Sequence, residues 1–195
     1  MSITTDSDAL DRADMERLQA GHAAALDDLM ARHATPVFHF LCRMVGNEDD
    51  ANDLAQETFV RVFKASKSFR AEQKFSRWLF TIAANLARNH FRWRARHPHL
   101  SLEAENPETE QSPGDMLPAK NPAPNDAALA AERAAAVRAA VKHLPEELCA
   151  AIVLCEWEER AVAEAAAILA TTPKAVESRL YRARQLLRER LKSWL

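Results

Sequence analysis

Apolar residues recur every three or four positions along most of the chain, the period of amphipathic helices. The first such stretch predicts a helix from about Asp8 to Ala20, closed by Gly21. A second carries Leu26, Leu29, Met30, His33, Val37, Phe40, Leu41 and Met44 on one stripe, with Pro36 placed to kink or restart it. Gly46 ends that stretch. Asn47 can cap the next, whose first turn, Glu48, Asp49 and Asp50, complements the helix dipole. This third helix predicts a buried stripe of Ala51, Leu54, Ala55, Thr58 and Val62, leaving Asp53, Gln56, Glu57 and Arg61 on the wet side. A loop, KSFRAEQKFS, leads to a fourth, RWLFTIAANLARNHFRWRARH, with a core stripe of Leu79, Ile82, Ala83 and Leu86.

The periodicity then stops. Residues 97 to 125 hold six of the nine prolines and few large apolar side chains. Such a segment cannot bury enough surface to fold alone and predicts a flexible linker. Its root-mean-square span would be about 30 Å, with a stretched limit of roughly 100 Å. Helical periodicity returns near Asp126 with AALAAERAAAVRAAVKHL. PEELCAAIVLCEWE follows, with Pro145 at its first position, then a short AVAEAAAILA. Thr171 or Thr172 can cap a last helix that has Pro173 near its start. No run alternates as a strand does, and only three glycines interrupt the chain. The expected fold is all-α: two small helical domains, residues 1–96 and 126–195, joined by an acidic, Pro-rich linker over 97–125.

Charge sharpens this division. The net charge of −2 conceals segregation: residues 1–57 hold twelve acidic residues and four arginines, and residues 61–96 hold ten basic residues and one glutamate. Residues 97–128 then carry six acidic residues and one lysine, and residues 174–192 seven basic and two acidic. Two cationic blocks separated by an anionic tether suit a polyanion held at two places. The fourth helix interleaves Arg77, Arg88, Arg92, Arg94 and Arg96 with Trp78, Phe80, Phe91 and Trp93. Arginines neutralise phosphates, and aromatic rings stack on unpaired bases for about 1–3 kcal/mol each. The last two helices have the order of a helix-turn-helix, whose second helix enters the major groove by its N-terminal turns. Lys174, Glu177, Ser178, Arg179 and Arg182 would face outward there, with Val176, Leu180 and Ala183 packed inward. Arg can bond guanine and Glu cytosine, while Lys174 and the capped helix start suit phosphate.

Other chemistry has little support. Cys42, Cys149 and Cys155 fall in apolar helical stretches and are expected as buried thiols, and no Cys or His spacing suggests zinc. No nucleotide-binding or nucleophile motif is present, so neither cofactor, metal nor catalytic residue is expected. The N-terminus is polar and acidic, unlike a signal peptide, and no apolar run is long enough for a membrane helix, so the cytoplasm is the expected location.

Three motifs occur together: D-L-A-Q-E-T-F from Asp53, W-L-F-T-I-A-A-N from Trp78, and V-E-S-R-L-Y-R-A-R from Val176. With these the chain resembles the extracytoplasmic-function (ECF) sigma factors of the sigma-70 family over residues 10 to 192. The resemblance implies a non-enzymatic subunit that binds core RNA polymerase at the β′ clamp and the β flap and directs initiation at promoters. Asp53, Gln56 and Glu57 would contact the clamp. The loop Phe69 to Ser76 would form a pocket for a flipped base, and Asn85, Arg88 and Asn89 would lie on the helix that reads the melted −10 element. Arg70, Lys74, Phe75, Arg77, Trp78 and Arg92 would complete that surface with Phe69. Thr172, Lys174, Glu177, Ser178, Arg179 and Arg182 would meet the −35 duplex. An anti-sigma factor is the further partner implied.

Three departures from the family pattern stand out. Arg160-Ala161 occupies the place of a small hydroxyl residue before the first helix of the helix-turn-helix, a lost cap of about 1 kcal/mol. Ala170 sits where glycine, Asp or Asn is frequent, at a similar cost if the backbone is left-handed. Glu177 stands where many relatives carry a basic residue, which suggests a different base preference. The alternative is a stand-alone helix-turn-helix regulator, which would leave the acidic third helix and the aromatic-arginine helix without a purpose.

Overall fold

A computed structural model describes residues 3–97, 124–192 and 194; side chains are described from Ser7 onward and, after the gap, from Leu129. Most of the expected linker, residues 98–123, lies outside the described residues. The described residues form eight α-helices and contain no strand. They are α1 (Ile3–Gln19), α2 (Ala25–Val45), α3 (Glu48–Ala65) and α4 (Phe75–Arg96), then α5 (Pro124–Lys142), α6 (Glu146–Ile152), α7 (Val162–Ile168) and α8 (Pro173–Arg190).

Local chemistry accounts for most boundaries. Gly21 (φ 96°) and Gly46 (φ 69°) take left-handed backbone after α1 and α2. The Asp50 N–H donates to Asn47 Oδ1 at 2.9 Å, which caps α3. Thr172 Oγ1 accepts from the Ala175 N–H at 3.2 Å and caps α8, with Pro173 as its first residue. Ala161 offers α7 no side-chain cap, as its methyl dictates. α1 begins five residues before the expected start, and Pro36 lies inside one continuous α2 rather than restarting it. Buried neighbours on both sides of the proline hold that helix together: Leu29 before it, then Val37, Phe40 and Leu41 after it.

α2 is the central helix of the N-terminal half, packed against α1, α3 and α4. Its stripe buries Leu29, Val37, Phe40, Leu41 and Met44 as expected, whereas Met30 is exposed and Leu26 only partly covered. On α3, Phe59 is buried and Leu54 only partly so. A staple of charges joins α1 to α2. Arg32 Nε donates to Asp11 Oδ1 at 2.9 Å, His33 Nε2 lies 2.8 Å from Asp11 Oδ2, and Arg32 also pairs with Asp14. Burial alone would push the Asp11 carboxyl up. His33 and Arg32 outweigh it and hold it below its ordinary 3.8.

In the C-terminal half, α8 packs on α6 and α7 around Leu148, Ile152, Val153, Ile168, Val176 and Leu180. The expected single helix over residues 145–158 is interrupted: α6 stops at Ile152 and opens into a π-helical turn, Val153–Trp157. Glu159 (φ 49°) follows in left-handed backbone, as does Ala170 (φ 51°) in the turn between α7 and α8. Cys149 is buried and its thiol pushed up to about 12, while Cys42 and Cys155 are only half-covered. One continuous apolar cluster runs through both halves, because α4 packs on α7 and α6 while α2 meets α5.

Two stability tests follow from this packing. Asp11→Asn puts an amide where a buried carboxylate faces Arg32 and His33 and should lower stability by about 2–3 kcal/mol at neutral pH, read from urea unfolding. Because the folded carboxyl titrates below 3.8, its contribution is complete above that value and is lost only as the pH falls through the lower, folded value. Ala170→Gly relieves left-handed strain of about 1–2 kcal/mol and adds back about 0.4–1 kcal/mol of unfolded-chain entropy, so a net gain of about 0.5–1 kcal/mol is expected in the same assay.

Candidate polymerase and promoter interface

The acidic face of α3 is open. Asp53 and Gln56 are exposed, and Glu57 is half-exposed with its carboxylate 2.8 Å from Arg61 Nε one turn later. That hydrogen bond holds the Glu57 carboxyl below its usual range. The i,i+4 pair fixes the rotamers of two residues beside Asp53 and Gln56, so the face meets a partner partly ordered.

Beyond α3 the chain makes one 3₁₀ turn, Ser66–Ser68, and a loop that returns to α4. Aromatic rings build this loop from within. Phe69 lies 5.2 Å from Trp78 and 6.0 Å from Phe75, centroid to centroid, and Phe75 lies 5.2 Å from His33. Phe69 and Phe75, expected among the residues of the base-pocket loop, are buried, at 7% and 2% exposure. They are the floor under the loop. Gln19, which the sequence pattern did not single out, donates through Nε2 to the carbonyls of Ser66 (2.9 Å) and Phe69 (3.0 Å) and pins the loop to α1. The loop surface and α1 enclose a cleft of about 250 Å³ that includes Asp8, Arg12, Glu72, Gln73 and Lys74. Lys74 Nζ sits 2.9 Å from Asp8 Oδ2 across it. Arg70 is exposed beside it.

A second cleft, about 340 Å³, runs between α3 and α4 and is lined by Arg61, Lys64, Ser68, Trp78, Ile82 and Asn85. It joins two cations, one amide and the partly covered indole of Trp78, a combination suited to a phosphate and a stacked ring. Arg61 and Lys64 come from α3; the charge count included them, but only the packing of α3 on α4 brings them to Trp78. Asn89, Arg92 and Trp93 are exposed further along α4, whereas Arg77 is half-covered. Arg88 is also half-covered: its Nη1 donates to Asn85 Oδ1 at 3.0 Å and its Nε lies 3.4 Å from Glu146 Oε1 on α6. Phe80, placed by the sequence pattern among the interleaved aromatics, is 1% exposed and belongs to the core.

On α8, Lys174, Glu177, Ser178 and Arg182 are exposed on one side, while Val176, Leu180 and Ala183 are buried on the other. Thr172 spends its hydroxyl oxygen as the helix cap. Arg179 departs from its expected outward position: its Nη2 donates to Glu147 Oε2 at 2.8 Å, and its side chain is drawn against α6. Among the described residues no group of three or more His, Cys, Asp or Glu is gathered as a metal site requires, and no helix is long and apolar enough to cross a membrane.

Known proteins agree with this arrangement. The sigma-70 region 2 family matches residues 29–97 and the sigma-70 region 4 family residues 134–187. The chain is 32% identical over 182 residues to the RNA polymerase sigma-H factor of Pseudomonas aeruginosa, covering 93% of each. It is 36% identical over 195 residues to the ECF RNA polymerase sigma factor SigE of Mycolicibacterium smegmatis, covering 96% of this chain and 72% of that one. Among solved structures, CnrH in complex with the cytosolic domain of CnrY superposes with a TM-score of 0.67 at 26% identity, over 94% of this chain and 98% of CnrH. These relatives favour the sigma-factor reading over that of a stand-alone regulator. With both regions present, in order, and near full-length identity to named members, the chain belongs to the ECF group of the sigma-70 family of RNA polymerase sigma factors.

Proposed function

We infer that this protein is a promoter-specificity subunit: it binds core RNA polymerase, captures and melts the −10 element, and reads the −35 element as duplex. The observation that carries this most directly is the cleft between α3 and α4, which brings Arg61, Lys64, Trp78 and Asn85 together beside the open acidic face of α3. One helix thus offers carboxylates to a protein partner and cations to a nucleic acid. The chain works in the cytoplasm, holds no catalytic group and lends polymerase its sequence preference. Asp53, Gln56 and Glu57 meet the clamp. The loop over Phe69 and Phe75, with Arg70 and Lys74 on its rim, receives the displaced base. Asn85, Arg88, Asn89 and Arg92 follow the single strand. Lys174, Glu177, Ser178 and Arg182 enter the −35 major groove, with Arg179 joining them once it leaves Glu147. An anti-sigma factor is the regulatory partner that family membership suggests, and CnrH, the solved structure with the likeness given above, is itself in complex with another protein, the cytosolic domain of CnrY.

Run-off transcription with purified core polymerase on a randomised promoter library tests the reading as a whole. Transcripts should start downstream of one recovered pair of elements, and the absence of any start would refute it. Asp53→Arg reverses an exposed charge, so the circular dichroism should be unchanged while polymerase pull-down is lost; retained pull-down would remove Asp53 from the clamp contact. Glu177→Ala should relax one −35 position by about 1–3 kcal/mol in the recovered preferences, and an unchanged profile would remove it as a base reader.

A further inference from the structure

The interface between the two halves uses side chains that promoter binding also needs. On α4, Ser76, Phe80, Ala84 and Arg88 are spaced by four and form one slowly turning face. The C-terminal half lies along that face. Arg160, the residue that breaks the family pattern ahead of α7, places its guanidinium 4.7 Å from the centre of the Phe80 ring. Its Nη1 donates to Ser76 Oγ at 3.3 Å and to Glu164 Oε1 at 2.7 Å. Two residues earlier, Glu158 Oε1 accepts from Arg43 Nη1 of α2 at 3.2 Å. The π turn and the left-handed Glu159 aim these two side chains at α2 and α4. At the start of α6, Glu146 holds Arg88 and lies in the field of Arg92.

We propose that Glu146, Glu158 and Arg160 form a latch that closes the C-terminal half over α4 and withholds Arg88 from DNA, the Glu146 carboxylate standing where a phosphate of the single strand would sit. The proposal rests on the promoter-binding reading of α4. The latch is suited to opening. Arg160 Nε is buried without a hydrogen-bond partner among the described residues, a donor that regains water when the halves part. Burial pushes the carboxyls of Glu146 and Glu158 up, against the pull of Arg88 and Arg92 on the first and of Arg43 and Arg160 on the second. The closed form therefore carries desolvated charges that a stronger polyanion can displace. The opposite side of α4, with Trp78, Ile82 and Asn85, stays accessible, so a strand can begin to bind before the latch yields.

The test uses the full chain. A Glu158→Gln/Arg160→Ala variant and an isosteric Glu146→Gln variant are compared with the natural protein by small-angle X-ray scattering and by anisotropy of a fluorescein-labelled, A/T-rich single-stranded DNA dodecamer. Glu132→Gln, at an exposed site on α5, matches the charge change of Glu146→Gln, while the double variant leaves the net charge unchanged. The double variant should show a larger radius of gyration. If only about a tenth of the natural chain is open, both latch variants should bind the DNA up to about tenfold more tightly, with the control unchanged. Circular dichroism identifies a double variant that has unfolded, in which case Glu146→Gln alone decides by its affinity. Unchanged scattering in a folded double variant, affinity no higher than the control, or no DNA binding by any form would overturn the latch. If the variants open and bind while no form supports run-off transcription, the latch stands and the sigma-factor reading fails.

Discussion

Phe80 meets Phe40 edge-on at 5.2 Å on one side and the Arg160 guanidinium at 4.7 Å on another. The first contact is ordinary core packing between α2 and α4. The second brings a charge from the C-terminal half to the rim of that core. Everything else in the arrangement has to accommodate this one ring. α4 must be apolar enough to seat against α2 and α3 and must still display its arginines and asparagines to water. Its alanines resolve the conflict: Ala83, Ala84 and Ala87 are buried without requiring much space, so neighbouring helices approach closely and the long side chains remain outside.

Charge is organised by the same economy. The acidic face of α3 and the cations near its C-terminal end, Arg61 and Lys64, share one helix. Pairing within the surface keeps these groups ordered without burying them. Glu57 with Arg61, Lys74 with Asp8 and Arg179 with Glu147 are solvent-rimmed contacts of small individual worth. Asp11 with Arg32 and His33 is different in kind: that carboxylate is buried, and its partners hold α1 in place so that Gln19 can reach the loop.

Two of the three departures from the family pattern have different fates. Ala170 is in left-handed backbone, a local strain in the turn of the helix-turn-helix. Arg160 is no mere loss of a cap. It replaces a local hydrogen bond at the start of α7 with contacts to Ser76 and Phe80, eighty or more residues away in the chain. A residue that looks like a defect within its own helix is a connection when both halves are seen together.

Periodicity, capping residues and motif spacing were enough to determine the helical class, the order of the helices, the exposed acidic face of α3 and the inward and outward sides of α8. These are local properties, set by repeats of three and four residues and by side chains that bond their own backbone. The tertiary structure alone decided that Phe69, Phe75 and Phe80 are core rather than stacking platforms, that Gln19 fastens the loop, that Arg61 and Lys64 join Trp78, and that Arg88 and Arg179 are held by Glu146 and Glu147. An aromatic ring can stack on a base or on a neighbouring ring, and an arginine can pair with a carboxylate or with a phosphate. Which partner each obtains depends on what the fold brings within a few ångströms, and spacing along one helix does not encode that.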